Sequence, residues 1–445
     1  MASDLLAPGA LAGADVVVED TPGSEGGALA ELLRAEGARV RLATPAELDL
    51  QPRATAAFLD AWTPEVAPRV QALRRNGALV TCLADLVLAR SGVPVVGVTG
   101  TAGKTTTTAY VIQLLRAAGL AVRAPAPGVS GNLWPDAGLL GDAKPADVAV
   151  VELTSSHLAF CSHGPRVAVV TSFWPDHLEW HGSFERYARA KETIARTLPP
   201  GGTLVVPADG SCERFVAAAP QADVVRFSLD RPVERGAFVA RGRVRLRLDA
   251  GTEVDAGRAD RLPAGGRCVA NVLAAACAAL AAGASAGAVA QALSGLETPV
   301  HRVREVARVA GAPVVDASMA GTPAKAAAVL EPYEDGSVVL VAGGDAESAA
   351  GPVHATPEEQ ELLAAACDVA ARKARAVVVF GPAARQLADR LPGTVVAADL
   401  DEALALAAGL AAGAAAVVVA PMFPLAPEVR ATVPELARRH ARGRP

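Results

Sequence analysis

A short segment near residue 100 constrains the fold of this chain more than any other. The apolar run 93–96 is followed by the glycine-rich stretch 97–106 and then by a helix-patterned stretch that begins at residue 107. A strand, a glycine-rich turn and a helix in this order cradle phosphate, because backbone N–H groups and the helix dipole face the anion. Val98 replaces the first glycine of the usual motif, so this is a variant with the core Gly-Thr-x-Gly-Lys-Thr. The segment predicts an α/β sheet that binds a nucleoside triphosphate.

The loop also supplies the first candidate site residues. The Lys104 side chain can reach the outer phosphates, and the Thr105 hydroxyl can ligate Mg²⁺. The candidate ATP-binding residues of the loop are Gly100, Thr101, Gly103, Lys104, Thr105 and Thr106.

Composition excludes several other classes of protein. The formal net charge is −5 and no Lys/Arg run stands out, which argues against a nucleic-acid partner. No cationic segment precedes an apolar one at the N-terminus, and the Ala-rich stretch 272–290 is too poor in large apolar residues for a membrane span. The six cysteines are scattered, which indicates a reducing cytoplasm and no zinc site. We therefore expect a cytoplasmic protein whose partners are small molecules.

The chain is too long for one ordinary core, and its apolar runs alternate with helix patterns. We predict an α/β protein of three domains. A Rossmann-like N-terminal domain covers 1–92, a central P-loop domain with a mostly parallel sheet covers 93–299, and a Rossmann-like C-terminal domain covers 300–445. An alternating stretch within 239–254 predicts an antiparallel hairpin. The predicted strands are 14–18, 38–42, 148–152, 167–171, 203–206, 314–315, 338–341, 376–380, 395–397 and 415–420.

Chemistry-bearing residues follow several of these predicted strands. Glu152 ends the run 148–151, where a carboxylate ligand of Mg²⁺ belongs beside a phosphate loop. His177 follows the next buried run. Lys191 lies on the helix-patterned stretch 184–196, in a chain that otherwise uses Arg for its surface cations. That preference makes Lys191 a candidate for chemistry that Arg cannot supply.

Several motifs in fixed order resemble the Mur ligase family, specifically its D-glutamate-adding branch. The resemblance covers the whole chain and is dense between residues 93 and 305. The matching segments are 97–106, Gly131-Asn132, 152–155, 176–191, Asn271 and His301-Arg302.

The resemblance implies an ADP-forming ligase that joins a carboxylate to an amine through an acyl phosphate. It implies ATP and two Mg²⁺ ions, with Lys104, His177 and Lys191 as catalytic residues. Metal ligands would be Thr105 and Glu152 for one ion, and His177 and a carbamylated Lys191 for the other. The resemblance places Asn132, Thr154 and Ser155 at the substrate, and Asn271, Arg302 and Asp316 at ATP. The substrates would be a carboxylate acyl donor, UDP-linked in the family, and an amino compound.

The chain departs from the family where substrates are chosen. Glu19 and Asp20 stand in place of the glycine-rich turn used against a diphosphate, and Arg267-Cys268 replaces a His-Asn pair. Met319 and Glu347 stand where the branch has lysines that hold D-glutamate, and neither side chain can bind a carboxylate. These departures favour an amine other than D-glutamate, or D-glutamate held differently.

Several functional interpretations stay open. The chain is a cell-wall ligase, a diverged ligase of a specialised peptide-like pathway, or an enzyme similar to folylpolyglutamate synthase. A catalytically silent, substrate-binding relative is the non-enzyme alternative, and the intact Lys104, Thr105, Glu152, His177 and Lys191 argue against it. A GTPase is excluded, because no Asn is followed by Lys as its guanine-binding motif requires.

Overall fold

In the computed structural model, the described residues are 3–21, 24–50, 53–127, 131–140, 147–248, 251–263, 268–348 and 351–442. The described chain divides into two compact units. The first contains residues up to 262 together with 269–296, and the second contains 263–268 together with residues from 297 onward. The departure noted at Arg267 lies outside the described residues.

The first sheet is parallel, and its strands lie in the order β2-β1-β3-β4. Its strands form because short apolar runs, such as Val16, Val17 and Val18, are buried between helices on both faces. The predicted strands 14–18 and 38–42 are confirmed to within a residue. The elements are β1 Asp15–Glu19, α1 Gly26–Ala35, β2 Arg39–Ala43, α2 Pro45–Leu50, β3 Ala56–Leu59, α3 Pro68–Arg75, β4 Leu79–Cys82 and α4 Leu83–Arg90.

The second sheet also belongs to the first unit, with the order β13-β12-β11-β10-β9-β8-β5-β7-β6. It is parallel from β6 through β11, and β12 and β13 add in antiparallel fashion. The strands are β5 Val95–Thr99, β6 Val122–Arg123, β7 Val148–Glu152, β8 Val167–Val170, β9 Thr203–Pro207, β10 Asp223–Ser228, β11 Gly236–Ala240, β12 Arg243–Arg247 and β13 Glu253–Arg258.

The predicted antiparallel hairpin within 239–254 is therefore confirmed, and β12 pairs with a neighbour on each side. Residues 249 and 250 of that stretch lie outside the described residues. The helices of this region are α5 Lys104–Ala117, α6 Ser155–Leu158, α7 Leu178–His181, α8 Phe184–Arg196, α9 Glu213–Ala218, α10 Val269–Ala281 and α11 Ala286–Ala292.

The Ala-rich stretch forms two helices, of which α10 is buried as expected, whereas α11 buries Val289 alone among its described residues. Residues 272–279 of α10 are all buried, because small side chains allow α10 to pack closely on α5 and on the sheet. In the part of the chain that the structure describes, no helix is both long enough and apolar enough to cross a membrane.

The third sheet lies in the second unit, in the order β14-β15-β21-β16-β19-β20. It is parallel except for β14, a strand that the sequence patterns did not predict, which pairs antiparallel with β15. Its elements are β14 Arg304–Val309, β15 Ala312–Asp316, α12 Pro323–Leu330, β16 Val338–Gly343, α13 Pro357–Lys373, β19 Ala374–Phe380, α14 Ala384–Ala388, β20 Val395–Val396, α15 Leu400–Leu410, β21 Ala416–Met422 and α16 Pro427–Ala441. Two short strands, β17 Glu347–Ser348 and β18 Gly351–Pro352, pair separately.

Candidate active site

Three adjacent parallel strands bring the central candidates to one edge of the second sheet. Strand β5 lies between β7 and β8, and all three run in the same direction. Their carboxyl ends carry the glycine-rich loop after Thr99, the carboxylate of Glu152 and the segment after Val170. Ligands of parallel α/β sheets bind at this edge, so the predicted residues converge for a topological reason.

The loop 100–103 joins β5 to α5 and needs glycine at both ends. Gly100 and Gly103 have φ values of +148° and +84°, which side chains rarely adopt. A Cβ on Gly103 would also collide with Oδ1 of Asn271, so the Asn271 amide lies directly against the loop. The segment after β8 holds the loop in place, since Ser172 accepts from Thr101 N at 2.9 Å.

Lys104 begins α5 and folds back over the loop. Its Nζ donates to the carbonyl oxygens of Gly100 at 3.1 Å and Thr101 at 3.3 Å. The ammonium group therefore lies over the backbone cradle where the resemblance places the phosphates. Thr106, also predicted to bind ATP, is buried in the first turn of the same helix.

The predicted ligands of the first magnesium ion are in direct contact. Thr105 Oγ1 donates to Glu152 Oε2 at 2.5 Å, and both side chains are buried. The same hydroxyl lies 3.4 Å from Asn132 Oδ1, and Leu133 N donates to Glu152 Oε2 at 3.3 Å. A hydroxyl, a carboxylate and an amide oxygen are the hard donors that Mg²⁺ prefers, so this cluster fits the ion.

Lys191 is buried under the loop, with 2% of its surface exposed. Its Nζ donates to the Gly100 carbonyl at 2.8 Å and lies 5.1 Å from the centre of the Tyr187 ring. The Tyr187 hydroxyl in turn pairs with Thr101 Oγ1 at 2.7 Å, and burial holds the pKa of Tyr187 well above its usual value. Lys191 is thus no solvated surface cation, in agreement with the argument from the scarcity of Lys.

Tyr187 is a site residue that the sequence analysis did not single out. It precedes Lys191 by four positions on α8, so the two side chains share one face of the helix. That helical spacing was the signal that could have identified it.

His177 adopts the left-handed conformation (φ 53°, ψ 39°), which is uncommon for a residue other than glycine. It caps α7, its side chain is partly exposed, and its Nε2 lies 3.4 Å from Asp176 Oδ2. Among the described residues, no three or more His, Cys, Asp and Glu side chains converge as a metal site. The pairing of His177 with Lys191 as ligands of a second ion stays a prediction.

The predicted substrate residues Thr154 and Ser155 begin α6. Thr154 Oγ1 accepts from His157 N at 3.1 Å, and His157 Nδ1 accepts from Thr154 N at 3.3 Å. This reciprocal cap fixes the turn after Glu152. Burial lowers the pKa of His157 to about 4, so its ring is neutral near pH 7. The Thr154 hydroxyl serves the helix cap here, and the predicted contact with substrate stays a prediction.

Arg302 and Asp316 belong to the second unit. Asp316 ends β15 fully buried, with its Oδ2 2.8 Å from His301 Nδ1, and Ser318 N donates to its Oδ1 at 3.0 Å. The residues on either side of Arg302 have positive φ, 62° at His301 and 59° at Val303. Such backbone strain, above all at a β-branched valine, clusters at functional sites.

Glu19 has a different role from the one its sequence position indicates. It was expected to present a charge where a diphosphate would bind. Its buried carboxylate instead pairs with Arg69 at 2.9 Å and accepts from the Thr63 hydroxyl and from Asp60 N. Asp20, directly after β1, remains exposed. Because Glu19 is paired with Arg69, the negative charge added here is smaller than the two acidic residues indicate.

Comparison with known proteins places these residues in a family. The profile of the Mur ligase middle domain matches residues 98–279. The UDP-N-acetylmuramoylalanine--D-glutamate ligase of Symbiobacterium thermophilum is 34% identical over 82% of this chain and 78% of its own length. The ligase of the same name from Rubrobacter xylanophilus is 35% identical over 81% and 78%.

Solved structures share the fold. The MurF ligase from Thermotoga maritima, in complex with ADP, gives a TM-score of 0.61 at 19% identity, covering 97% of this chain and 96% of its own. A pseudomurein peptide ligase type C from Methanothermus fervidus gives 0.59 at 19% identity, covering 95% and 99%. At these identities the likeness concerns the fold alone.

Proposed function

Because the chain belongs to the Mur ligase family of ATP-dependent, ADP-forming amide ligases, we propose that it joins a muramoyl-type acyl donor to an amino acid. The relatives named above are D-glutamate ligases. UDP-N-acetylmuramoyl-L-alanine and D-glutamate are therefore the first substrates to consider. The observation that carries the proposal is the contact between Thr105 and Glu152 at the edge of a parallel sheet, directly after Lys104.

The loop and its helix bind the phosphates of ATP in this proposal. Backbone N–H groups of 100–103 and the N-terminus of α5 face the anion, and Lys104 neutralises the outer phosphates. Thr105 and Glu152 would hold a Mg²⁺ ion. When bound, that ion supplies further positive charge to the phosphate oxygens.

The reaction proceeds in two displacements. A carboxylate oxygen of the acyl donor attacks the γ-phosphorus, the bond to the bridging oxygen breaks, and ADP leaves. The amine nitrogen then attacks the carbonyl carbon of the acyl phosphate, phosphate leaves, and the nitrogen loses a proton to form the amide. Asn132 lies beside Thr105, where its amide can orient the donor carboxylate.

Lys191 and His177 are proposed to hold a second ion after carbamylation of the lysine. The neutral Lys191 amine would attack carbon dioxide, forming an N–C bond and releasing a proton, which yields a carboxylate-like ligand. The burial of Lys191 against the loop carbonyl of Gly100 supports this role. Asn271 beside Gly103 would contact the adenine, and Arg302 and Asp316 are proposed to contact ATP as well.

The domain roles are part of the same proposal. We assign the acyl donor to residues 1–92, ATP to 93–299 and the amino substrate to 300–445, and we place the reaction in the cytoplasm. Two observations favour an amine other than D-glutamate as the second candidate. The first is that Glu347 is an exposed carboxylate in β17. The second is that the uncharged Met319 lies three positions after the buried Asp316. A neutral or basic amine would suit Glu347 better than a dicarboxylate.

The test is ATP-dependent phosphate release with UDP-N-acetylmuramoyl-L-alanine and a panel of amines. The panel contains D-glutamate, L-glutamate, and neutral and basic amino acids. Turnover with D-glutamate supports the primary proposal, and turnover only with another amine supports the alternative and directs attention to Glu347. Folylpolyglutamate synthase-like activity would require turnover with a folate donor instead. Absence of ADP formation with every donor would contradict a ligase and favour a silent relative.

A further inference from the structure

Three tryptophans from separate segments of the first unit meet at one place. The Trp62 ring centre lies 5.4 Å from that of Trp134 and 5.9 Å from that of Trp180, with the planes tilted by 58° and 52°. The chain has four tryptophans and is only 4% aromatic, so this gathering of three does not follow from composition. Trp62, Trp134 and Trp180 are called the tryptophan cluster below.

The tryptophan cluster adjoins the proposed catalytic residues on two sides. Trp134 follows the segment in which Asn132 lies beside Thr105 and Leu133 donates to Glu152. Trp180 lies in α7, which His177 caps. Two of the three indoles are therefore tied by the backbone to predicted ligands of the donor carboxylate or the metal.

Trp62 lies in the turn after β3 of the first sheet, and that turn is held by hydrogen bonds. Its backbone N–H donates to Asp60 Oδ1 at 2.8 Å. Asp60 N and the Thr63 hydroxyl donate to Glu19, whose charge is balanced by Arg69. The turn is thus held by a buried ion pair in addition to the packing of the indole.

The protein covers the side chains of the tryptophan cluster only in part. Trp62 remains 55% exposed although it contacts two other indoles. In the described part of the chain, the buried Nε1–H of Trp134 has no hydrogen-bond partner. Buried donors are nearly always paired, and an exposed aromatic face beside a reaction site is typical of a ligand surface.

We propose that the tryptophan cluster selects the acyl donor by packing against the hydrocarbon face next to its reacting carboxylate. The inference rests on the proposed function. Trp134 follows Asn132 by two positions, so a donor carboxylate placed beside Thr105 and Asn132 lies one short loop away from the tryptophan cluster. C–H groups pack well on indole faces, whereas the carboxyl group of Asp60, which accepts from the backbone N–H of Trp62, disfavours an anionic group there.

The kinetic test compares Trp62→Ala with Trp62→Phe, and uses Leu50→Ala as the control, since Leu50 is exposed on α2 of the same region. We expect Trp62→Ala to raise KM for the acyl donor about tenfold, with KM for ATP and kcat nearly unchanged. Trp62→Phe retains an aromatic face and should recover most of the affinity. Equal KM for the donor in all variants, or an equal rise in KM for ATP, would overturn the inference.

A binding test separates this inference from the proposed function. Titration of UDP-N-acetylmuramoyl-L-alanine without ATP should change the intrinsic tryptophan fluorescence of the wild type, and Trp62→Phe should lose most of the change. If the enzyme turns over no donor yet this signal appears, the proposed function fails and the inference stands. If turnover occurs without any change in fluorescence, the inference is wrong and the proposed function stands.

Discussion

At the level of single residues, two threonines of α5 differ in what their buried hydroxyl groups contact. Thr105 Oγ1 contacts Glu152, whereas Thr107 Oγ1 is buried without a hydrogen-bond partner among the described residues. Thr105→Val keeps the volume and removes the proposed metal ligand, so kcat should fall about 100-fold or more. Thr107→Val removes an unsatisfied hydroxyl, so activity should persist and the free energy of unfolding should rise by about 1 kcal/mol. Phosphate-release kinetics and urea denaturation measure both effects. Equal loss of activity in the two variants would contradict the assignment of Thr105.

Two glycines with the same backbone conformation make a second residue-scale comparison. Gly103 and Gly119 have φ values of +84° and +86°, but only at Gly103 would a Cβ collide with Asn271. Both alanine substitutions should cost about 1–2 kcal/mol of backbone strain. Gly103→Ala alone should also raise KM for ATP several-fold, because Asn271 and the phosphate loop must move apart. Similar KM values for ATP in the two variants would show that the close contact between Gly103 and Asn271 does not contribute to ATP binding.

At the scale of elements, a buried carboxylate joins α4 to the loop before β8. Asp85 accepts hydrogen bonds from Thr81, from the backbone and hydroxyl of Ser162, and from the backbone and ring of His163. Asp85→Asn places an amide N–H₂ among these donors and should destabilise the protein by about 3 kcal/mol. Urea denaturation near pH 6 measures this loss. A change below 1 kcal/mol would mean that water replaces the lost contacts.

The same pair predicts how stability depends on pH. The hydrogen bond to Asp85 raises the pKa of His163; burial alone would raise the pKa of Asp85, but bonds from His163 and Ser162 hold it below its usual value. The contribution of His163 to the free energy of unfolding is fully present below about pH 6.5 and is lost as the pH rises through the raised pKa of His163. The contribution of Asp85 to the free energy of unfolding is present above about pH 4 and is lost as the pH falls through the lowered pKa of Asp85. His163→Asn should therefore lose most stability relative to wild type near pH 5.5 and least near pH 8.5, as urea titrations at both values would show.

At the scale of the whole molecule, the cores determine which fragments can fold. One core cluster combines Leu59 of the first sheet and Val70 of α3 with Val151 and Leu204 of the second sheet. Among the described residues, the buried members of the two clusters of the second unit all lie between 312 and 437. A fragment of residues 297–445 should therefore fold alone, whereas 93–296 should aggregate unless 1–92 is present. Circular dichroism and thermal melting of 1–296, 93–296 and 297–445 test this, and a cooperative melt of 93–296 would refute it.

Local sequence patterns were sufficient to predict most strands and the edge of the second sheet at which the proposed ATP site lies. Buried strands such as β5, β7 and β8 read as short apolar runs, and parallel strands bring their carboxyl ends together, so Lys104, Thr105 and Glu152 were expected to meet. Strand β14 was missed because it is an edge strand without a buried, continuous apolar run. Glu19 was misjudged because its partner Arg69 lies far along the chain.

The phosphate loop, the order of the motifs and the family could be predicted from the sequence, because these depend on residues that are neighbours in the chain or that follow consecutive strands. The folded structure was needed to show that Glu19 forms an ion pair with Arg69, that Lys191 lies under Gly100 beside Tyr187, and that Trp62 contacts Trp134 and Trp180. Such contacts join segments far apart in sequence. Their partners are selected by packing and by the balancing of buried charge, and neither leaves a periodic signal in the chain.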